Sequence, residues 1–69
     1  MKIQIAENLK QLMRIEHLSQ SKLATKIGID QRTISKWING KSEPSIEYLW
    51  ILADYFDVSI DYIAGRKEI

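Results

Sequence analysis

The sequence predicts an all-α fold, a compact domain of five short helices. Apolar residues recur at spacings of three and four, as one face of a helix requires, and nowhere alternate with the period of two that marks a half-buried strand. A serine or aspartate stands before four of the periodic segments, and a glycine follows three of them, as helix starts and stops require.

The first helix runs from Ile5 to Glu16, with Ile5, Leu9, Leu12 and Met13 at amphipathic spacing and His17 at its end. Ser19 caps a second helix, Gln20 to Ile27, whose inner face carries Leu23, Ala24 and Ile27, and Gly28 punctuates it. Asp30 caps a third, from Gln31 to about Asn39, in which Ile34, Trp37 and Ile38 share one side. Gly40 then sits where a left-handed cap glycine belongs, and residues 40 to 44 read as a loop. Ser45 caps the fourth helix, with Ile46, Leu49, Leu52, Ala53 and Phe56 facing inward; Ser59 caps a short fifth with Ile60 and Ile63, stopped by Gly65.

With 69 residues the chain is expected to be a single domain, 1–69, with its core in about residues 5–65. A chain of this size buries roughly 60% of its unfolded surface, so it needs dense packing, and without cysteine it has no disulfide staple. The longest uncharged apolar run, Tyr48 to Ala53, is far below the roughly 20 residues that span a bilayer. No signal-peptide pattern opens the chain. No membrane contact is expected, and the lack of cysteine fits a reducing, cytoplasmic setting.

A net charge of only +1 argues on its own against a nucleic-acid partner. Its distribution reverses that. Residues 1 to 41 carry eight basic side chains against three acidic ones, a balance of +5, and residues 42 to 69 carry two against six, a balance of −4. Local potential steers an anionic partner, so the basic part can attract one while the total stays small.

The second and third helices are joined by Gly28, Ile29 and Asp30 alone, too few residues for antiparallel packing, so they cross as in a helix-turn-helix. At about 100° per residue, Arg32, Ser35, Lys36 and Asn39 fall opposite the apolar side of the third helix. All four donate hydrogen bonds and none is acidic. Gln31 and Thr33 flank that arc at the N-terminal end, the end such helices insert into the major groove. The first turn of the second helix holds no acid, so its free amides and the Gln20 side chain are open to a phosphate.

These residues, with Leu18-Ser19-Gln20, Leu23-Ala24, Ile27-Gly28-Ile29, Thr33-Ile34-Ser35-Lys36-Trp37, Asn39-Gly40-Lys41, Pro44-Ser45 and Leu52-Ala53 at their spacings, resemble the lambda-repressor-like, Cro-type helix-turn-helix (XRE) family from about Ile5 to Gly65. The resemblance implies a sequence-specific DNA-binding transcriptional regulator, a repressor, of bacterial or phage origin and nucleoid-associated, acting as a homodimer on a palindromic operator. It implies that Gln31, Arg32, Thr33 and Lys36 read bases, and that Gln20, Ser35, Asn39 and Lys41 hold phosphates. The family often has a basic residue where Met13 stands and a glutamate where Ile38 stands, forming a partly buried ion pair; here an apolar Met13 to Ile38 contact is expected instead. Where His17 stands the family often has a left-handed glycine, and histidine is among the few other residues enriched in that conformation.

Trp50, Ile51, Tyr55 and Tyr62 exceed what the inner faces of the last two helices need, which marks a dimer or partner face, with a regulatory protein as a second candidate occupant. The rival reading is an antitoxin or other module whose main partner is a protein. One histidine, no cysteine and scattered acids assemble neither a metal site nor a catalytic pair, so no enzyme, cofactor or small-molecule ligand is expected.

Overall fold

Helices this short persist only where their ends are closed and their apolar faces are covered. In the computed structural model, which describes residues 4–65, they are α1 (Ile5–Ile15), α2 (Gln20–Ile27), α3 (Gln31–Ile38), α4 (Ile46–Phe56) and α5 (Ile60–Ala64). Lys2, Arg66, Lys67 and Glu68 of the charge balance lie outside the described residues. The five expected helices are all present, with α1 and α3 each ending one residue earlier than expected.

The N-termini are closed by the expected side chains. Ser19, Ser45 and Ser59 accept from the backbone N–H of Lys22, Tyr48 and Tyr62 at 3.1, 3.3 and 3.0 Å, and Asp30 accepts from that of Arg32 at 2.8 Å. Each serine cap contributes about 1 kcal/mol. α1 has no side-chain cap. Its start is held by α5 instead: the Gln4 N–H donates to the Ala64 carbonyl at 3.1 Å, and Asn8 Nδ2 to those of Tyr62 and Ile63 at 3.0 and 3.1 Å. These bonds reach the last carbonyls of α5, a helix too short to pair them all with its own amides.

The C-termini of α1, α3 and α4 close by the same paired bonds. Leu18 N–H donates to the Met13 carbonyl at 2.8 Å and His17 N–H to that of Arg14 at 3.1 Å, with His17 left-handed at φ 55° as expected. Gly40, at φ 72°, does the same for α3, where Lys41 N–H reaches the Lys36 carbonyl at 2.9 Å. Asp57, at φ 57°, does so for α4. The chain must turn left-handed at each of these points, which is why α1 and α3 stop short of Glu16 and Asn39.

The fully enclosed side chains are Leu9, Leu23, Ile34, Leu52 and Ile63, one from each helix. Ile5, Leu12, Met13, Ala24, Trp37, Ile38, Leu49 and Ala53 surround them, and no polar side chain is buried among the described residues. Ile27, Phe56 and Ile60 are half-buried at the edge of this core. Ile46 corrects the expectation for α4: it is 72% exposed. As the first residue of the helix, its side chain leans toward the N-terminus and off the end of the core. Met13 and Ile38 are both buried and line the same cleft, an apolar junction between α1 and α3. The rings of Trp37 and Tyr48, with centroids 5.5 Å apart, fasten α3 to α4. No helix of the described residues is long and apolar enough to cross a membrane.

Truncating Ile38 removes one side of the α1–α3 junction. Ile38→Ala is expected to cost about 2–5 kcal/mol in thermal or urea unfolding. An unchanged transition contradicts the apolar junction.

Candidate nucleic-acid interface

Between α2 and α3 the chain has three residues in which to change direction. Gly28 takes φ 75° and ψ 38°, and the N–H groups of Gly28 and Ile29 both donate to the Ala24 carbonyl, at 2.8 and 3.0 Å. The turn is thus pinned to the last turn of α2, and α3 starts at once under the Asp30 cap. Burial of Ile34, Trp37 and Ile38 then settles the rotation of α3, and the opposite arc faces solvent.

That arc forms a shallow cleft lined by Arg32, Ser35, Lys36, Asn39 and Lys41. No acidic side chain lines it. Lys41 reaches it because its own N–H is tied back to the Lys36 carbonyl. Asn39 Nδ2 donates to Ser35 Oγ at 3.3 Å, so the two polar groups are oriented together. Arg32 is held from behind: Asp30 accepts from the Arg32 backbone at 2.8 Å with one carboxylate oxygen and lies 3.3 Å from Nη2 with the other. The backbone bond, then the guanidinium, hold the Asp30 carboxyl below its ordinary pKa, with a smaller contribution from Lys36. Asp30 is therefore both the N-cap of α3 and the ion-pair partner of Arg32.

Five of the eight residues expected to meet DNA are brought together in this cleft. Gln31 and Thr33 are not among them: Gln31 is exposed and Thr33 half-buried, on the two flanks of the N-terminal turn of α3. Gln20 is half-buried in a separate cleft with Lys10, Met13, Arg14, Leu18, Ser19 and Ile38. Ser19 occupies the Lys22 amide there, while helix geometry leaves the Gln20 and Ser21 amides without intrahelical acceptors. Sequence spacing alone does not single out Lys10 and Arg14. They are four residues apart, hence on one flank of α1, but only the packed fold reveals that this flank borders the start of α2.

The expected partner face divides. Trp50 is 68% exposed and Tyr55 39%, whereas Ile51 and Tyr62 are half-buried, with Tyr62 packed against the core. Trp50 and Tyr55 are about 140° apart around α4, so they face different directions. Ile51 shares a flank with Tyr55, Ile46 shares one with Trp50, and Glu47 and Asp54 lie between the two flanks. Among the described residues no group of three histidine, aspartate or glutamate side chains is placed to hold a metal ion.

A family model described as helix-turn-helix matches residues 9–63. Among curated proteins, the chain is 35% identical over 63 residues to the HTH-type transcriptional activator BcrR of Enterococcus faecalis, covering 91% of this chain and 31% of that protein. It is 32% identical over 65 residues to the antitoxin PezA of Streptococcus pneumoniae, covering 94% and 41%. It is 31% identical over 64 residues to the cryptic phage CTXphi transcriptional repressor RstR of Vibrio cholerae, covering 93% and 57%. A crystal structure of a transcriptional regulator from Listeria innocua superposes with a TM-score of 0.90 at 33% identity, over 100% of this chain and 64% of that one. The chain thus spans from about a third to just over half the length of these curated relatives.

Because its folded pKa is lowered, Asp30 stabilises the fold at pH above its ordinary range, and that contribution is lost as pH falls through the folded value. In a carboxyl-carbon NMR titration Asp30 is expected to titrate below the ordinary 3.8, and Arg32→Ala is expected to raise it part of the way back. A titration unmoved by Arg32→Ala removes the tether between the two side chains.

Proposed function

Because the chain belongs to the helix-turn-helix family, matched over residues 9–63, we propose that it binds double-stranded DNA sequence-specifically and regulates transcription, as a repressor, by inserting α3 into the major groove of a palindromic operator. The observation that carries this reading is the convergence of Arg32, Ser35, Lys36, Asn39 and Lys41 on one exposed cleft whose lining holds no acid, with Asp30 paired to Arg32 beside it. The major groove is wide enough for an α-helix and presents acceptors that identify each base pair.

In this reading Arg32 and Lys36 address guanine O6 and N7, and Gln31 and Thr33 reach base edges from the flanks of the inserted end. Ser35, Asn39 and Lys41 hold the phosphates along one strand. Gln20, with the free amides at the start of α2, holds another, and Lys10 and Arg14 add positive charge to that grip. The regulator acts in the bacterial cytoplasm, on the nucleoid. A homodimer addresses two half-sites about 34 Å apart, joined through the Ile51 and Tyr55 flank of α4 together with Tyr62. The likeness to an antitoxin, together with the exposed apolar side chains of α4, favours a second reading in which a protein is the main partner. A stoichiometric protein captured through α4 and α5, with DNA affinity no better than for random sequence, identifies that case.

Arg32→Ala and Lys36→Ala are each expected to lose about 1–3 kcal/mol on the preferred site and to relax base preference there. Lys41→Ala is expected to weaken all sequences alike and to lower the salt slope by about one. Filter binding or fluorescence anisotropy against specific and random duplexes separates these cases, and equal losses on both for Arg32→Ala contradict its base-reading role. Sedimentation is expected to give a dimer on the operator, weakened by Tyr55→Ala; a single protomer per operator contradicts the proposed dimer.

A further inference from the structure

The other flank of α4 is left unused by the DNA contact and by the proposed dimer. Between the end of α4 and the start of α5 runs a groove lined by Trp50, Ala53, Asp54, Asp57, Val58 and Ile60. Ala53 is buried, and Val58 and Ile60 are half-buried, so they form its floor; Trp50, Asp54 and Asp57 are exposed and stand at its rim. None of these residues belongs to α2 or α3.

Its chemistry is specific. An exposed tryptophan offers an apolar body and an electron-rich face that attracts cations. Asp54 follows Trp50 by one helical turn, and Asp57 is held left-handed by bonds from its own and the Val58 N–H to the carbonyls of Asp54 and Ala53. Backbone geometry thus brings both aspartates to the groove. From Ser42 to Gly65 the sequence has five acids, Glu43, Glu47, Asp54, Asp57 and Asp61, and no lysine or arginine. Among the described residues no ion pair engages Asp54 or Asp57.

An apolar floor, an indole face and two carboxylates suit a cation carried on an apolar stem. Arginine matches best: its methylenes pack on the floor while its planar guanidinium stacks on Trp50 and forks to a carboxylate. Phosphate backbones and anionic lipid surfaces are repelled by the same acids. A second copy of this chain fits poorly, since its arginines among the described residues, Arg14 and Arg32, line the clefts proposed for DNA. Such a head-to-tail contact would not close into a dimer. From this charge complementarity we propose that the Trp50 groove docks an arginine-bearing, basic amphipathic segment of another protein, and that it does so while α3 is free to hold DNA.

The test uses the full chain at about 0.15 M salt, where the Debye length of about 8 Å screens looser attraction. The probe is a short amphipathic leucine–arginine peptide, with a leucine–glutamate peptide as control. In two-dimensional NMR the Trp50 indole and the Asp54 and Asp57 amides are expected to shift with the arginine peptide, while the buried Trp37 indole stays in place. Trp50→Ala, and the double variant Asp54→Asn with Asp57→Asn, are each expected to weaken binding about tenfold. Both aspartates are exposed and asparagine tolerates the left-handed conformation, so the melting temperature of the double variant is expected to hold. The proposal is overturned by shifts confined to other surfaces, by equal binding of the glutamate peptide, or by variants that bind as well as the parent. It is also overturned if concentrating the protein alone shifts Trp50, which assigns the groove to a second copy.

Discussion

Five side chains meet at the centre of this fold, Leu9, Leu23, Ile34, Leu52 and Ile63, and each comes from a different helix. Everything else depends on that meeting. α2 and α3 have eight residues each and α5 five, lengths at which an isolated helix does not persist in water. Full burial of a leucine or isoleucine is worth about 1.5–3 kcal/mol, so losing any one of the five undermines every helix that touches it. The shared centre also sets rotation. With Ile34 turned fully inward, Arg32 and Lys36 have no direction left but outward, and the polar arc of α3 follows from its apolar side.

Around this centre the charges are segregated. The cations of α3 and its following loop gather in one cleft, with Lys10 and Arg14 of α1 beside the start of α2, whereas the chain from Ser42 to Gly65 is acidic throughout. The net charge of +1 is the sum of two opposed regions. On the reading proposed above, this division limits loose attachment to any duplex at physiological salt and leaves affinity to base contacts and to dimerisation. Asp54 and Asp57 stand beside Trp50, where, on the docking proposed above, they favour a basic partner.

What could be read from the sequence was mostly local. Ser19, Asp30, Ser45 and Ser59 announce helix starts because a cap involves residues only two or three apart, and Gly40 and His17 announce stops for the same reason. Arg32, Ser35, Lys36 and Asn39 are legible because a helix of known buried side has a known opposite side, whereas Lys41, in the loop beyond, is given only by the family resemblance. Asp57 shows the reach of the same rule: an aspartate before Val58 and the Ser59 cap carries a left-handed signal, weaker than glycine's. Helical periodicity points Ile46 inward, but it does not register where the core ends, and Ile46 lies beyond that edge. Trp50 and Tyr55 are separated by about 140° around α4, an angle the sequence already contains, so the four apolar residues Trp50, Ile51, Tyr55 and Tyr62 do not form one face. Only the tertiary packing of α1 beside α2 brings Lys10 and Arg14 next to Gln20, and no spacing within either helix encodes that.

The most direct test of the central claim, that α3 reads base sequence from its exposed arc, is selection of bound duplexes from a random-sequence pool by the full chain, followed by sequencing. The account predicts an enriched palindrome whose half-sites are about one helical turn apart, with guanines at the positions facing Arg32 and Lys36. A pool that remains random after repeated rounds contradicts it.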